Sequence, residues 1–227
     1  MKKIGIVGGL GPEPTIEYYR IITSHFHGRS EGYPRIIIYS LDVDELCRLF
    51  EAERWDEVTG ILLEGVNALL KGGADFGLIA ANTPHIVFDD VQEASLLPLL
   101  NIVTETLRVI KNKNLRRVGL LGTKFTMQAT LFQKELNPAG IEVFVPDESE
   151  QEYIQDKIYS ELTVGRFTDE TRSGLHDIVE NLIERHSIEG IILGCTELPL
   201  ILKKDEYGIP FLNTTRIHAE SAIRHCS

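Results

Sequence analysis

Residues 75–83 read Asp-Phe-Gly-Leu-Ile-Ala-Ala-Asn-Thr and residues 189–197 read Glu-Gly-Ile-Ile-Leu-Gly-Cys-Thr-Glu, one layout met twice, 114 positions apart (195 − 81). Each stretch is an acid, a short apolar run and then a turn of small and polar residues. Such a run reads as a strand buried on both faces, as strands of parallel sheets are. A second pair keeps the same offset: Lys3-Ile4-Gly5-Ile6-Val7-Gly8 against Arg117-Val118-Gly119-Leu120-Leu121-Gly122 (117 − 3). A third pair, Pro98-Leu99-Leu100-Asn101 against Pro210-Phe211-Leu212-Asn213, is offset by 112 (210 − 98), so one short deletion reconciles all three. A fixed offset held over about 70 residues marks a duplicated unit.

Outward from these anchors, short apolar runs alternate with segments of helical period. Ile4 to Val7, Arg35 to Ser40, Phe76 to Ala80, Leu99 to Val103, Arg117 to Leu121, Glu142 to Val145 and Gly190 to Leu193 read as strands. Trp55 to Lys71 puts Trp55, Val58, Leu62, Val66, Leu69 and Leu70 on one face, and Gly72-Gly73 stops it. Leu175 to Arg185 carries a similar stripe through Leu175, Ile178, Val179, Leu182 and Ile183. The expected fold is α/β: two pseudo-symmetric lobes, each a mostly parallel sheet with helices on both faces. The first lobe is expected at 1–102 plus 210–227 and the second at 103–209, with their strand ends facing each other across a crevice.

Composition narrows the function. The 227 residues are 43% hydrophobic and 25% charged, as globular proteins are. With 23 Lys and Arg against 34 Asp and Glu the net charge is −11, and basic residues cluster only as the pairs Lys2-Lys3, Arg116-Arg117 and Lys203-Lys204. A nucleic-acid partner needs a basic stripe, so nucleic-acid binding is disfavoured. No apolar run approaches the roughly 18 residues of a membrane span, and the N-terminus enters a strand with no signal-like segment, so a cytoplasmic location is expected. Cys47, Cys195 and Cys226 have neither disulfide nor zinc spacing, and the histidines share no ligand spacing, so no metal is expected. Cys47 reads as helix core, Cys226 as part of a frayed end, and the acidic stretch Asp147 to Glu152 as a solvated loop.

The turns carry the chemistry. Gly9-Leu10-Gly11-Pro12-Glu13-Pro14 resembles a dinucleotide fingerprint but has proline at the third glycine position, which argues against a Rossmann oxidoreductase. What remains is a strand-to-helix turn whose backbone N–H groups suit a carboxylate or a phosphate. Cys195 follows a strand and precedes a helix start at Pro199, a setting that is expected to lower a thiol pKa toward neutrality. Glu197 either orients that thiol or favours the helix dipole. In the earlier turn Asn82 or Thr83 is the cap, Pro84 lies in the first helical turn, and Ala81 stands where Cys195 stands in the later one.

These residues make the chain resemble the cofactor-independent aspartate/glutamate racemases over essentially its whole length, most closely the aspartate racemase branch. That branch opens with G-G-x-G-P-x-A-T and carries C-N-T-x-H and G-C-T-E. Here the motifs are Gly8-Gly9-Leu10-Gly11-Pro12-Glu13-Pro14-Thr15, then Ala81-Asn82-Thr83-Pro84-His85, then Gly194-Cys195-Thr196-Glu197. The resemblance implies two flavodoxin-like lobes, a homodimer, no cofactor and a small amino-acid or dicarboxylate substrate. It also implies a mechanism in which one cysteine removes the Cα proton and another protonates the opposite face. Substrate contacts are then expected from Gly9, Leu10, Gly11, Ala81, Asn82, Thr83, Thr123, Thr126, Thr196 and Glu197.

The chain departs from the family pattern at Ala81, because a methyl group neither gives nor takes a proton. Cys195 is left as one catalytic group, with Thr83 as the expected second and His85 or a water as other candidates; a histidine has the better pKa for proton transfer. The basic residue usual after the second strand has no match near Asp42 to Glu45, although Arg48 could serve. The lysine usual near 158–165 is replaced by Thr163 or Val164. Three readings follow: a racemase or epimerase with altered groups, a single-cysteine decarboxylase or isomerase of the same superfamily, and a non-catalytic amino-acid-binding homologue.

Overall fold

The computed structural model describes residues 1–202 and 207–226; the Lys203-Lys204 pair lies outside the described residues. The chain divides into two compact units, Met1–Glu105 with Thr215–Ser227, and Thr106–Thr214.

The first unit is built from β1 (Ile4–Gly8), α1 (Pro12–Phe26), β2 (Ile36–Ser40), α2 (Val43–Glu51), α3 (Trp55–Lys71), β3 (Phe76–Ile79), α4 (Phe88–Ala94), β4 (Leu99–Leu100) and the start of α5 (Ile102–Asn112). Its sheet has the order β2-β1-β3-β4 and every pairing is parallel. Strand side chains alternate between faces. Ile4 and Ile6 pack with Tyr18, Ile22 and Phe26 of α1 and with Ala219, Ala222 and Ile223 of α11 (Thr214–Cys226). On the other face Val7 meets α3 at Gly65, and α3 buries Val58, Leu62, Val66 and Leu69.

The second unit runs through β5 (Arg117–Leu121), α6 (Lys124–Gln128), α7 (Leu131–Leu136), β6 (Glu142–Phe144), α8 (Glu148–Ser160), α9 (Asp169–His186), β7 (Gly190–Leu193), α10 (Leu198–Ile201) and β8 (Phe211–Asn213). Its sheet order is β6-β5-β7-β8, again all parallel. Both sheets therefore share the 2-1-3-4 order of flavodoxin-like folds, and β1, β3 and β4 correspond in order to β5, β7 and β8. The two-lobed α/β architecture expected from the repeat is the one observed.

Four local readings change. Leu99 to Val103 is a strand only at Leu99 and Leu100, because the Asn101 carboxamide accepts from Val103 N–H at 2.8 Å and Thr104 N–H at 3.2 Å and so starts α5. Residues Phe211–Asn213 pair with β7 and stay in the second sheet, so the chain returns to the first unit at Thr215 rather than at 210. The acidic stretch from Asp147 opens α8 through a reciprocal cap: Asp147 accepts from Glu150 N–H and Glu150 from Asp147 N–H, each at 3.0 Å. Cys226 is buried in the core around α1 and α11, and its carbonyl accepts from Lys2 N–H at 2.9 Å.

Candidate functional site

In the first unit the turn after β1 is shaped by Gly9. Its φ is +78°, and a Cβ there would lie 2.3 Å from the Leu41 carbonyl oxygen, so only glycine fits. The Thr15 hydroxyl, one turn into α1, accepts from Gly9 N–H at 2.9 Å. That bond uses the Gly9 amide and leaves Leu10 and Gly11, both half-buried, as the turn's other amides. Gly11 precedes α1 with no side-chain cap, and Pro12 opens the helix.

The turn after β3 holds Ala81 and Asn82 and continues into a 3₁₀ helix at Thr83–Val87. Ala81 and Thr83 are half-buried, whereas Asn82 is buried. His85 sits beneath this turn with 2% exposure. Its Nδ1 lies 2.8 Å from the Ala81 carbonyl and its Nε2 3.2 Å from the Ile102 N–H. A carbonyl only accepts and an amide N–H only donates, so Nδ1 carries the proton and Nε2 is bare. Burial, with the neighbouring His218 adding to it, pushes the His85 pKa down to about 3. The imidazole considered as an acid or base is thus a neutral strut tying the Ala81 turn to the start of α5.

His218 of α11 takes the opposite tautomer. Its Nε2–H donates to the Leu100 carbonyl and its Nδ1 accepts from the Tyr18 hydroxyl, both at 2.9 Å. Burial lowers its pKa to about 4 and raises that of Tyr18. The two imidazoles meet edge to face with ring centres 5.8 Å apart. Sequence reading missed this cluster, since Tyr18 and His218 are 200 positions apart and no local pattern joins them.

In the second unit Cys195 lies just past the carboxyl end of β7. Gly194 is held by its N–H to the Leu121 carbonyl at 2.7 Å, and a Cβ on it would come within 2.9 Å of Leu120 and 3.1 Å of the Leu121 carbonyl. The thiol, 7% exposed with its residue, donates to Glu197 Oε2 at 2.9 Å. The Thr196 hydroxyl donates to the same oxygen at 2.7 Å.

The expected lowering of the thiol pKa is reversed. Burial pushes Cys195 well above the ordinary range, and the charge of Glu197 and its hydrogen bond add to the rise. The N–H groups of Thr196 and Glu197 pull the other way and are outweighed. The helix meant to lower it, α10, has only four residues, so its dipole is weak. Cys195 rests as a thiol.

Thr123 caps α6, accepting from Thr126 N–H at 3.3 Å, with the two hydroxyls 3.1 Å apart. Thr126 is fully buried, so Thr123 is the half-exposed member of the pair. Arg48 lines an open cleft of about 660 Å³ between α2 and α3, beside Glu45, Arg54, Asp56, Glu57 and Glu64. Thr163 bonds back to the Tyr159 carbonyl at 2.9 Å, and Val164 is exposed. Among the described residues no group of three metal-binding side chains converges, and no helix is long and apolar enough to cross a membrane.

Two flavodoxin-like sheets, each presenting turns after its strands, with a thiol in a G-C-T-E turn, define a class of α/β proteins that includes amino-acid racemases. The chain belongs to the Asp/Glu/Hydantoin racemase family, whose model matches residues 7–222. It is 28% identical over 228 residues to the broad specificity amino-acid racemase RacX of Bacillus subtilis strain 168, covering 97% of this chain and 96% of that one. An aspartate racemase homologue from Pyrococcus horikoshii OT3 superposes with a TM-score of 0.87 at 37% identity, covering 100% of this chain and 99% of the other. Aspartate racemase from Picrophilus torridus shares the fold at a TM-score of 0.81 and 24% identity, covering 99% and 94%.

Proposed function

We propose that the protein is a cofactor-independent amino-acid racemase in which Cys195 transfers the Cα proton and Thr83 takes the place of a second thiol. The observation that carries this reading is the Cys195 thiol itself, past the end of β7 and hydrogen-bonded to Glu197 at 2.9 Å. Family membership and the likeness to RacX support amino acids as substrates. The Leu10 and Gly11 amides at the start of α1 suit the substrate carboxylate, because a helix N-terminus stabilises an anion. Asn82, Thr123 and Thr196 offer further donors to the charge that develops when the proton leaves. A threonine hydroxyl is a poor acid, so turnover is expected to be slow. The protein is proposed to work as a homodimer in the cytoplasm, the first of which light scattering at working concentration checks.

The test is proton NMR of Cα exchange in deuterated water with D and L aspartate, glutamate and several neutral amino acids. Exchange and inversion of both enantiomers support the racemase. Exchange of one enantiomer without inversion limits the chemistry to the Cys195 face. A second reading, a single-cysteine decarboxylase, is favoured by one observation: Cys195 rests protonated, as an acid that quenches a carbanion must be. Release of carbon dioxide from substituted malonates, with no Cα exchange, would select it; binding without either reaction would leave an amino-acid-binding homologue.

A further inference from the structure

The turn at residues 81–85 takes one backbone carbonyl away from its usual partner. In a helical turn a carbonyl accepts from the N–H three or four residues on. For Ala81 those residues are Pro84, which has no N–H, and His85, whose N–H goes to the Asn82 carbonyl at 2.9 Å. The His85 ring supplies the donor instead, through Nδ1 at 2.8 Å, so two successive carbonyls of the turn end on one residue. Nε2 of the same ring accepts from the Ile102 N–H at 3.2 Å, and Phe88 stacks on it with ring centres 5.2 Å apart and planes 3° from parallel. Bonded at both nitrogens and stacked, the imidazole has one orientation, and so has the turn that carries Ala81, Asn82 and Thr83.

The second unit ties its own turn with other atoms. The repeat places Pro199 where His85 stands (85 + 114), so the imidazole has no counterpart there. Ile102 corresponds to Thr214 at the offset of 112 (102 + 112), and the Thr214 hydroxyl donates to the Leu193 carbonyl at 2.9 Å. In each unit the first residue of the helix after the fourth strand is thereby bonded to the end of the third strand or to the turn beyond it. A tie rebuilt from different residues at equivalent places marks the fixed turn as what the fold requires.

We propose that His85 is a positioning residue that sets the orientation of the Ala81-Asn82-Thr83 turn and so aims the Thr83 hydroxyl, without exchanging a proton itself. The inference rests on the racemase reading and deepens it on the Thr83 side of the reaction. Two substitutions divide the ring: His85→Asn keeps a donor at the place of Nδ1 and loses Nε2, whereas His85→Gln puts an acceptor near the place of Nε2 and leaves the Ala81 carbonyl without its donor. The first readout needs no substrate: amide hydrogen exchange at Asn82 and Thr83, with β5 and β7 of the other unit as the reference. His85→Gln should speed exchange at the turn by about tenfold or more with the reference amides unchanged, and His85→Asn should speed it far less. The second is Cα exchange, where His85→Gln should lose roughly 10²-fold in kcat with KM little changed, the effect of a misplacement of about 1 Å, and His85→Asn should keep most of the wild-type rate. Pro84→Ala added to His85→Gln returns a backbone donor to the Ala81 carbonyl and should recover part of both losses. Equal losses in the Asn and Gln variants, faster amide exchange spread over both units, or no recovery with Pro84→Ala would reduce His85 to core packing and overturn the proposal. If wild type exchanges no amino acid at Cα, the racemase reading fails on its own, and amide exchange still decides whether His85 fixes the turn.

Discussion

Cys195 and Ala81 occupy matching places in the repeat, yet only one can move a proton. Under the racemase reading, Cys195→Ala should cut Cα exchange by roughly 10²–10⁴-fold, the usual contribution of a positioned acid–base group. Ala81→Cys should raise the rate by a comparable order, provided that the added thiol completes the pair; single-turnover NMR reads both. A wild-type rate in Cys195→Ala would remove the thiol from the mechanism. Gly9 makes a different demand. At φ +78° and with the Leu41 carbonyl 2.3 Å from any Cβ, Gly9→Ala should lower stability by about 2 kcal/mol or more, as a urea melt would show. Motif spacing made both turns legible in the sequence. The direction of the Cys195 pKa shift was not, because it depends on the burial of the sulphur and on where the Glu197 carboxylate points.

Among the elements, helix boundaries were read least well, and each error has a local cause. The run Leu-Leu-Asn-Ile-Val looks like a strand by its β-branched residues, but Asn101 turns Ile102 and Val103 into the first turn of α5. Asn101→Ala should therefore cost about 1 kcal/mol, the worth of a typical N-cap. Thermal unfolding of that variant is the check, and an unchanged midpoint would mean that packing alone sets the start of α5. The start of α8 was signalled by the D-x-x-E spacing of Asp147 and Glu150, whose reciprocal bonds outweigh the solvated look of an acidic stretch. By contrast α3 was readable end to end, because seventeen residues of clear period and a Gly-Gly stop leave little ambiguity.

For the molecule as a whole, the buried His85, His218 and Tyr18 cluster couples stability to pH. Both imidazoles stay neutral in the folded state until the pH nears about 3 or 4, whereas in the unfolded chain they take up protons near 6.5. Below about pH 6.5 the unfolded state therefore binds more protons. Stability, complete above that value, should fall by about 1.4 kcal/mol per pH unit for each histidine as the pH drops. Urea unfolding between pH 7.5 and pH 5 measures this above the range where carboxylates titrate. His218→Gln should remove about half of the slope; a midpoint that stays level in wild type would show that the cluster opens and hydrates.

The sequence by itself determined the duplicated α/β plan, the turns that hold the glycine-rich, A-N-T-P-H and G-C-T-E motifs, and the resemblance to the racemase family that the family match over residues 7–222 bears out. Those rest on signals written locally: apolar runs of fixed length, glycine and proline at turns, and residue types at constant spacing. Tertiary structure alone decided that His85 is a neutral strut, that Cys226 is core, that Phe211–Asn213 stays in the second sheet, and that Cys195 rests as a thiol against Glu197. Protonation and partner choice are set by burial and by atoms brought together from distant positions, and no pattern along the chain records the dielectric around a sulphur or the carbonyl facing an imidazole.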